Sequence, residues 1–167
     1  MEILYLVRDR STGLRLLVFG ATVLLVASCE PPRDPDTEPD EVLQAELGLT
    51  LSDRVHRVML TGGPTERSDP VAISIEPGAY VEFVTTDWLI HEVIFETDSL
   101  AGERRSFLER TDQVASPPLI NRESRYVLSF EGAPPGRYPY TIEGNGGTGR
   151  GLIIVTDPTL APPPQNP

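Results

Sequence analysis

Pro134-Pro135-Gly136-Arg137-Tyr138-Pro139-Tyr140-Thr141-Ile142-Glu143-Gly144-Asn145-Gly146-Gly147-Thr148-Gly149-Arg150-Gly151-Leu152-Ile153-Ile154-Val155 is the stretch around which the chain is organised. It reads as a turn, a strand, a long glycine loop and a second strand. A strand–loop–strand of this build closes a β-sandwich and can hold a metal at its mouth. The residue types in the loop therefore decide much of the function.

The segments before it carry the same strand period. Val55 to Leu60 is a first strand, stopped by Thr61-Gly62-Gly63-Pro64. Val71 to Ile75 alternates apolar and small residues, as a half-buried strand does. Glu76-Pro77-Gly78-Ala79 then reads as a tight turn in which Gly78 supplies a positive φ. Tyr80 to Val84 follows, and the pair is expected to form a hairpin. Leu89 to Phe95 is another strand, with His91, Val93 and Phe95 on one face. Residues 97–120 are the one non-strand segment: Ser99 is a candidate cap for a short helix through Arg110, with Leu100, Phe107 and Leu108 as its apolar stripe. Arg125 to Phe130 is a further strand. Seven or so short strands separated by turns, with one short helix, predict an all-β, two-sheet Greek-key β-sandwich. Arg57 and Arg125 are expected to blunt its edge strands.

The ends are unlike the middle. Arg8, Arg10 and Arg15 precede the apolar run Leu16 to Ser28, which is shorter than the ~20 residues of a membrane-crossing helix. That is a secretory signal pattern, so residues 1–28 are expected to be a signal peptide. Val26-Ala27-Ser28-Cys29 resembles the bacterial lipobox, which implies cleavage before Cys29, the chain's one cysteine, and lipid attachment to its thiol. Residues 29–46 are then an acylated cysteine and a proline- and acid-rich tether. Residues 47–157 form the domain, and 158–167 a disordered proline-rich tail. The expected location is the bacterial cell envelope, lipid-anchored, facing the periplasm or the cell exterior. The membrane, through the anchor, and an envelope protein are the expected partners. The net charge of -11, with no lysine, argues against nucleic acid, whose phosphates attract cations.

Three segments of the middle resemble the cupredoxin family, the plastocyanin- and azurin-like blue copper proteins. Ile75-Glu76-Pro77-Gly78-Ala79-Tyr80-Val81-Glu82-Phe83 is similar to its I-x-x-G-x-x-V-x-F segment. Asp87-Trp88-Leu89-Ile90-His91-Glu92-Val93-Ile94-Phe95 resembles N-D-x-x-x-H-x-V-x-F, which supplies the first copper histidine. Pro135-Gly136-Arg137-Tyr138-Pro139-Tyr140 resembles the P-G-x-Y-x-Y approach to the copper loop, and Gly151 to Val155 its closing strand. The resemblance covers about Val55 to Val155 and implies a β-sandwich of the cupredoxin type.

It does not carry the copper chemistry with it. A blue copper centre needs two imidazoles, a thiolate and usually an axial thioether. The resemblance puts the cysteine, second histidine and methionine at Thr141, Gly144 and Gly149, and none of these is a ligand. The only cysteine is Cys29, and the only methionines are Met1 and Met59. His91 remains as a residual ligand position, expected to satisfy its nitrogens with backbone partners. No cofactor is expected, and copper is the alternative, through a non-standard site using His91. Such a site could enlist His56 with Glu92, Glu143 or Glu82, although no spacing brings these together.

Gly144 to Gly149 matches G-x-G-x-x-G, but a strand follows where a dinucleotide site needs a helix. An anion nest beside Arg150, or a mobile loop, are the readings left for it. No serine sits in a nucleophile elbow, and no enzyme activity is expected. The sequence thus points to a binding or structural module of the envelope, with an accessory role in an envelope complex as an alternative. Its candidate surface is Trp88, Leu89, His91, Asn145 and Arg150.

Overall fold

Eight strands, most of them with alternating inward and outward residues, form in the computed structural model, which describes residues 35–160. They are β1 (Val55–Thr61), β2 (Arg67–Asp69), β3 (Ala72–Ile75), β4 (Tyr80–Thr85), β5 (His91–Phe95), β6 (Arg125–Ser129), β7 (Gly136–Gly144) and β8 (Gly149–Val155). Two helices, α1 (Glu41–Leu47) and α2 (Gly102–Arg110), accompany them. The strands form two sheets, ordered β2-β1-β4-β6 and β3-β8-β7-β5. This is the expected all-β sandwich, with a second short helix. Between the sheets lie Val58, Leu60, Phe83, Val93, Phe95, Tyr140, Ile142 and Ile153, all buried. The Tyr140 ring meets Phe83 and Phe95 edge-on at 5.1 and 6.1 Å between centroids, a geometry aromatic rings favour.

The turn at Glu76 to Ala79 forms as expected. Gly78 has φ +86°, and the Ala79 N–H donates to the Glu76 carbonyl. The expected hairpin does not form. β3 pairs in parallel with β8, whereas β4 enters the other sheet, parallel to β1 and antiparallel to β6. The cause is burial: Val81 to Thr85 are all buried, and a strand covered on both faces belongs in the middle of a sheet. The turn residues fix the reversal of direction, not the sheet that receives the next strand.

α2 starts later than Ser99. Thr97–Ser99 makes a 3-10 turn, the Ser99 hydroxyl donates to the Glu96 carbonyl, and Ala101 takes the cap position without a side-chain bond. Phe107 and Leu108 anchor the helix, and Phe107 packs near Phe130 and Tyr138.

The folded body also begins before Leu47. Part of the expected tether, 29–46, is the helix α1, capped by Asp40, whose Oδ1 accepts from the Leu43 N–H at 3.0 Å. Leu43 and Leu49 are buried with Val55, beside Tyr80 and Val127. The Asp40 carboxylate also accepts from Arg125 at 2.7 Å. Arg125 and Arg57 in turn flank the buried Glu82, at 3.1 and 2.7 Å. The Asp40 cap, its pair with Arg125 and the burial of Leu43 hold α1, where a short helical turn over Val42 to Leu47 is also readable from the sequence, against the sandwich. Arg57 accordingly guards no edge, because β1 lies between β2 and β4. Among the described residues no helix is long and apolar enough to cross a membrane. The expected signal peptide, Cys29 and the last residues of the tail lie outside the described residues.

Candidate functional site

At the end of the sandwich where β1, β4 and β7 finish and β5 and β8 begin, three ionisable side chains meet. Asp87 organises the loop between β4 and β5. Its Oδ2 accepts from the Gly62 N–H at 2.7 Å, and its Oδ1 from the Leu89 N–H at 2.8 Å. Four residues on, His91 opens β5 with its ring turned into the core and no exposed surface. Its Nε2 lies 2.9 Å from Asp87 Oδ1, and its Nδ1 lies 2.8 Å from Oε2 of the buried Glu66. The His91 backbone exchanges both hydrogen bonds with Leu119. The ring is thus fixed on every side.

Each of the two nitrogen–carboxylate contacts requires one proton. Burial would raise the Asp87 carboxyl, but hydrogen bonds from the Gly62 N–H, the His91 ring and the Leu89 N–H outweigh it and hold the carboxyl below its ordinary value. The second Glu66 oxygen, Oε1, is buried and has no hydrogen-bond partner.

Gly144 is the direct cross-strand partner of His91. A β-carbon on Gly144 would collide with Glu66 Oε1 and with the Ile90 carbonyl. The glycine loop is not the long, mobile segment expected. Four residues, 145–148, join β7 to β8, and the loop is pinned to the chain before β2. The Gly147 N–H donates to the Pro64 carbonyl at 2.9 Å, and the Glu66 N–H to the Gly147 carbonyl at 2.7 Å. A β-carbon on Gly146 would strike the Gly63 carbonyl, so close backbone approach requires glycine there.

No family model matches the chain, and no curated protein does. It is similar to solved cupredoxins. A purple cupredoxin from Nitrosopumilus maritimus is 18% identical over 60% of this chain and 99% of that one, with a TM-score of 0.41. A reduced Cu(I) form of an amicyanin mutant is 19% identical over 63% of this chain and 85% of that one, with a TM-score of 0.41. A mutant plastocyanin of fern is 17% identical over 60% of this chain and 99% of that one, with a TM-score of 0.39. The likeness is one of fold.

The residues present do not fit a type 1 copper. The described residues contain no cysteine. Both His91 nitrogens are taken by carboxylates, and the space over Gly144 is taken by Glu66. Thr141 lies on the outer face of β7, where its hydroxyl points to the Ile94 carbonyl at 3.4 Å, away from His91. Gly149 is buried at the start of β8. His56 contacts Glu76 Oε2 at 2.9 Å, about 20 Å along β1 from the Gly62 end. Glu92 and Glu143 face outward, and Glu82 is committed to Arg57 and Arg125. Among the described residues no group of three or more His, Cys, Asp and Glu is arranged to hold a metal ion.

Of the candidate surface residues, Trp88 and Asn145 are exposed at this end, and Leu89 is half-buried beside Gly62. His91 is not a surface residue, because Leu119, Glu66 and Asp87 enclose it. Nor are its nitrogens satisfied by backbone groups, as expected; two carboxylates do this. Arg150 is exposed on the outer face of β8, opposite Thr141, and reaches Glu96 at 3.8 Å instead of the glycine loop. Sequence reasoning missed Glu66, which stands in an aperiodic segment, and gave Asp87 no role, although it precedes His91 by four residues.

Proposed function

We propose that this protein is a non-enzymatic binding module of the bacterial cell envelope, attached by a lipid on Cys29 and built on a cupredoxin-like sandwich without type 1 copper. One observation carries the reading: both nitrogens of the retained histidine are held by carboxylates of the same chain. A metal would have to displace Glu66 or Asp87 and would find no thiolate. The cluster instead serves as a cross-link, joining the segments that carry Glu66 and Asp87 to the start of β5. What this end offers a partner is a fixed rim bearing Trp88 and Asn145.

Calorimetric titration of the Cys29→Ser chain with copper(I), copper(II) and zinc(II) tests the reading. No stoichiometric binding is expected. Copper binding that His91→Ala abolishes would overturn it in favour of a non-standard site. The anchor is tested separately, by metabolic labelling with an alkynyl fatty acid that Cys29→Ser should abolish.

A further inference from the structure

The outer face of β5 combines two features that rarely stay exposed together. Ile90 precedes the strand, and Glu92 and Ile94 point outward from it while His91, Val93 and Phe95 point in. Because His91 and Leu119 pair as antiparallel neighbours, Ile90 and Ile120 stand side by side on the outside. They are 44% and 57% exposed, and Trp88, two residues earlier, is 72% exposed. Ile90 and Ile120 thus form an exposed apolar pair, with Trp88 in the bend that leads into it.

Beside them, Glu92 lies directly opposite Glu143 on β7. Like charges in direct cross-strand register destabilise a sheet. Among the described residues no cation pairs with either; Arg150, on the same face, turns to Glu96. Arg122 belongs to the turn at 121–124, which bonds back to Thr85 on β4.

A second copy of this chain would set the same acids against each other, and an anionic lipid surface would meet the same repulsion. We propose that this face docks a cationic, apolar-centred segment of a partner protein. Its arginines or lysines would neutralise Glu92 and Glu143, while its aliphatic or aromatic side chains cover Trp88, Ile90 and Ile120. The surface is preorganised, since Asp87 fastens the backbone on both sides of Trp88 through Gly62 and Leu89. Little ordering is left to oppose binding. The inference rests on the reading of the domain as a binding module and gives that module's partner a chemistry.

Trp88 is the only tryptophan, so its emission reports on the bend that leads into β5. The Cys29→Ser chain is titrated with a synthetic peptide of alternating leucine and arginine, and with its leucine–glutamate counterpart. The cationic peptide should shift Trp88 emission to the blue. The double variant Glu92→Gln/Glu143→Gln should weaken its binding about three- to tenfold. Ile120→Ser should weaken it as well. An equal response to the anionic peptide would overturn the proposal. So would an unchanged affinity in the double variant, or a shift caused by anionic vesicles or by raising the concentration of the chain alone that Ile120→Ser abolishes. None of these outcomes bears on copper, which the calorimetric titration tests separately.

Discussion

The Glu66 carboxylate fills the space over Gly144, where any β7 side chain facing His91 would have to stand. Occupation of that space and the absence of a side chain are one fact seen from two strands. Gly144→Ala should therefore cost about 1–3 kcal/mol, the range of forcing an extra carbon against packed neighbours. In a Glu66→Ala background the added cost should shrink, leaving only the contact with the Ile90 carbonyl. Urea denaturation of the four chains of this cycle gives the coupling. Strict additivity would show that the two residues do not compete.

Glu66→Ala alone strips His91 Nδ1 of its partner in a site without water access. Breaking a buried pair costs about 3–5 kcal/mol. Glu66→Gln keeps the size and can offer an amide proton to Nδ1, so its cost should be nearer 1 kcal/mol. If Glu66→Ala unfolds at the same urea concentration as the unaltered chain, the Glu66–His91 contact contributes nothing.

Stability should fall in acid. Asp87 is held below its ordinary value of 3.8 by hydrogen bonds that outweigh burial, and Asp40 by the Leu43 N–H and by Arg125. Groups depressed in this way contribute stability that is present above their unfolded value and is lost as pH falls through the folded one. Melting temperature should decline below about pH 3.8, and Asp87→Asn should flatten the decline.

An alkaline limb should mirror it. Burial pushes Tyr138 from 10.0 up to about 12, and its hydroxyl donates to the Pro134 carbonyl. A raised phenol contributes stability that is complete below the unfolded value and disappears as pH rises through the folded one. Loss should set in near pH 10 and continue to about 12. Tyr138→Phe should reduce this slope, as read by chemical denaturation across the alkaline range.

α1 should be the least stable part of the body. Asp40→Ala removes its cap, at about 1 kcal/mol, together with the tie to Arg125. Amide exchange should accelerate over Glu41 to Leu47 while β7 and β8 stay protected. Uniform acceleration across the domain would show instead that the helix and the sandwich unfold together.

Much of the fold was legible because each strand announces itself locally. His91, Val93 and Phe95 alternate with outward residues, and Gly78 could be placed in its turn from Pro77 alone. The β3–β4 pairing was not legible, because a local turn does not reveal which sheet a strand joins. That depends on burial of both faces of β4, a tertiary fact. β2 escaped notice because Arg67-Ser68-Asp69 has no apolar period. His91 was found as a candidate, but its partners were not. Glu66 reaches it across 25 residues of sequence, and only the folded register of β7 against β5 makes the vacancy at Gly144 meaningful. Residue inventory alone could argue against copper; it could not say what fills the space.

The docking of α1 has a consequence for distance. Cys29 stands six positions before Pro35, where the described body begins, and six fully extended steps span only about 20 Å. The first turn, Pro35–Thr37, already lies against β1. Under the proposed attachment at Cys29, the tether is therefore shorter than the proline- and acid-rich composition of residues 29–46 implies.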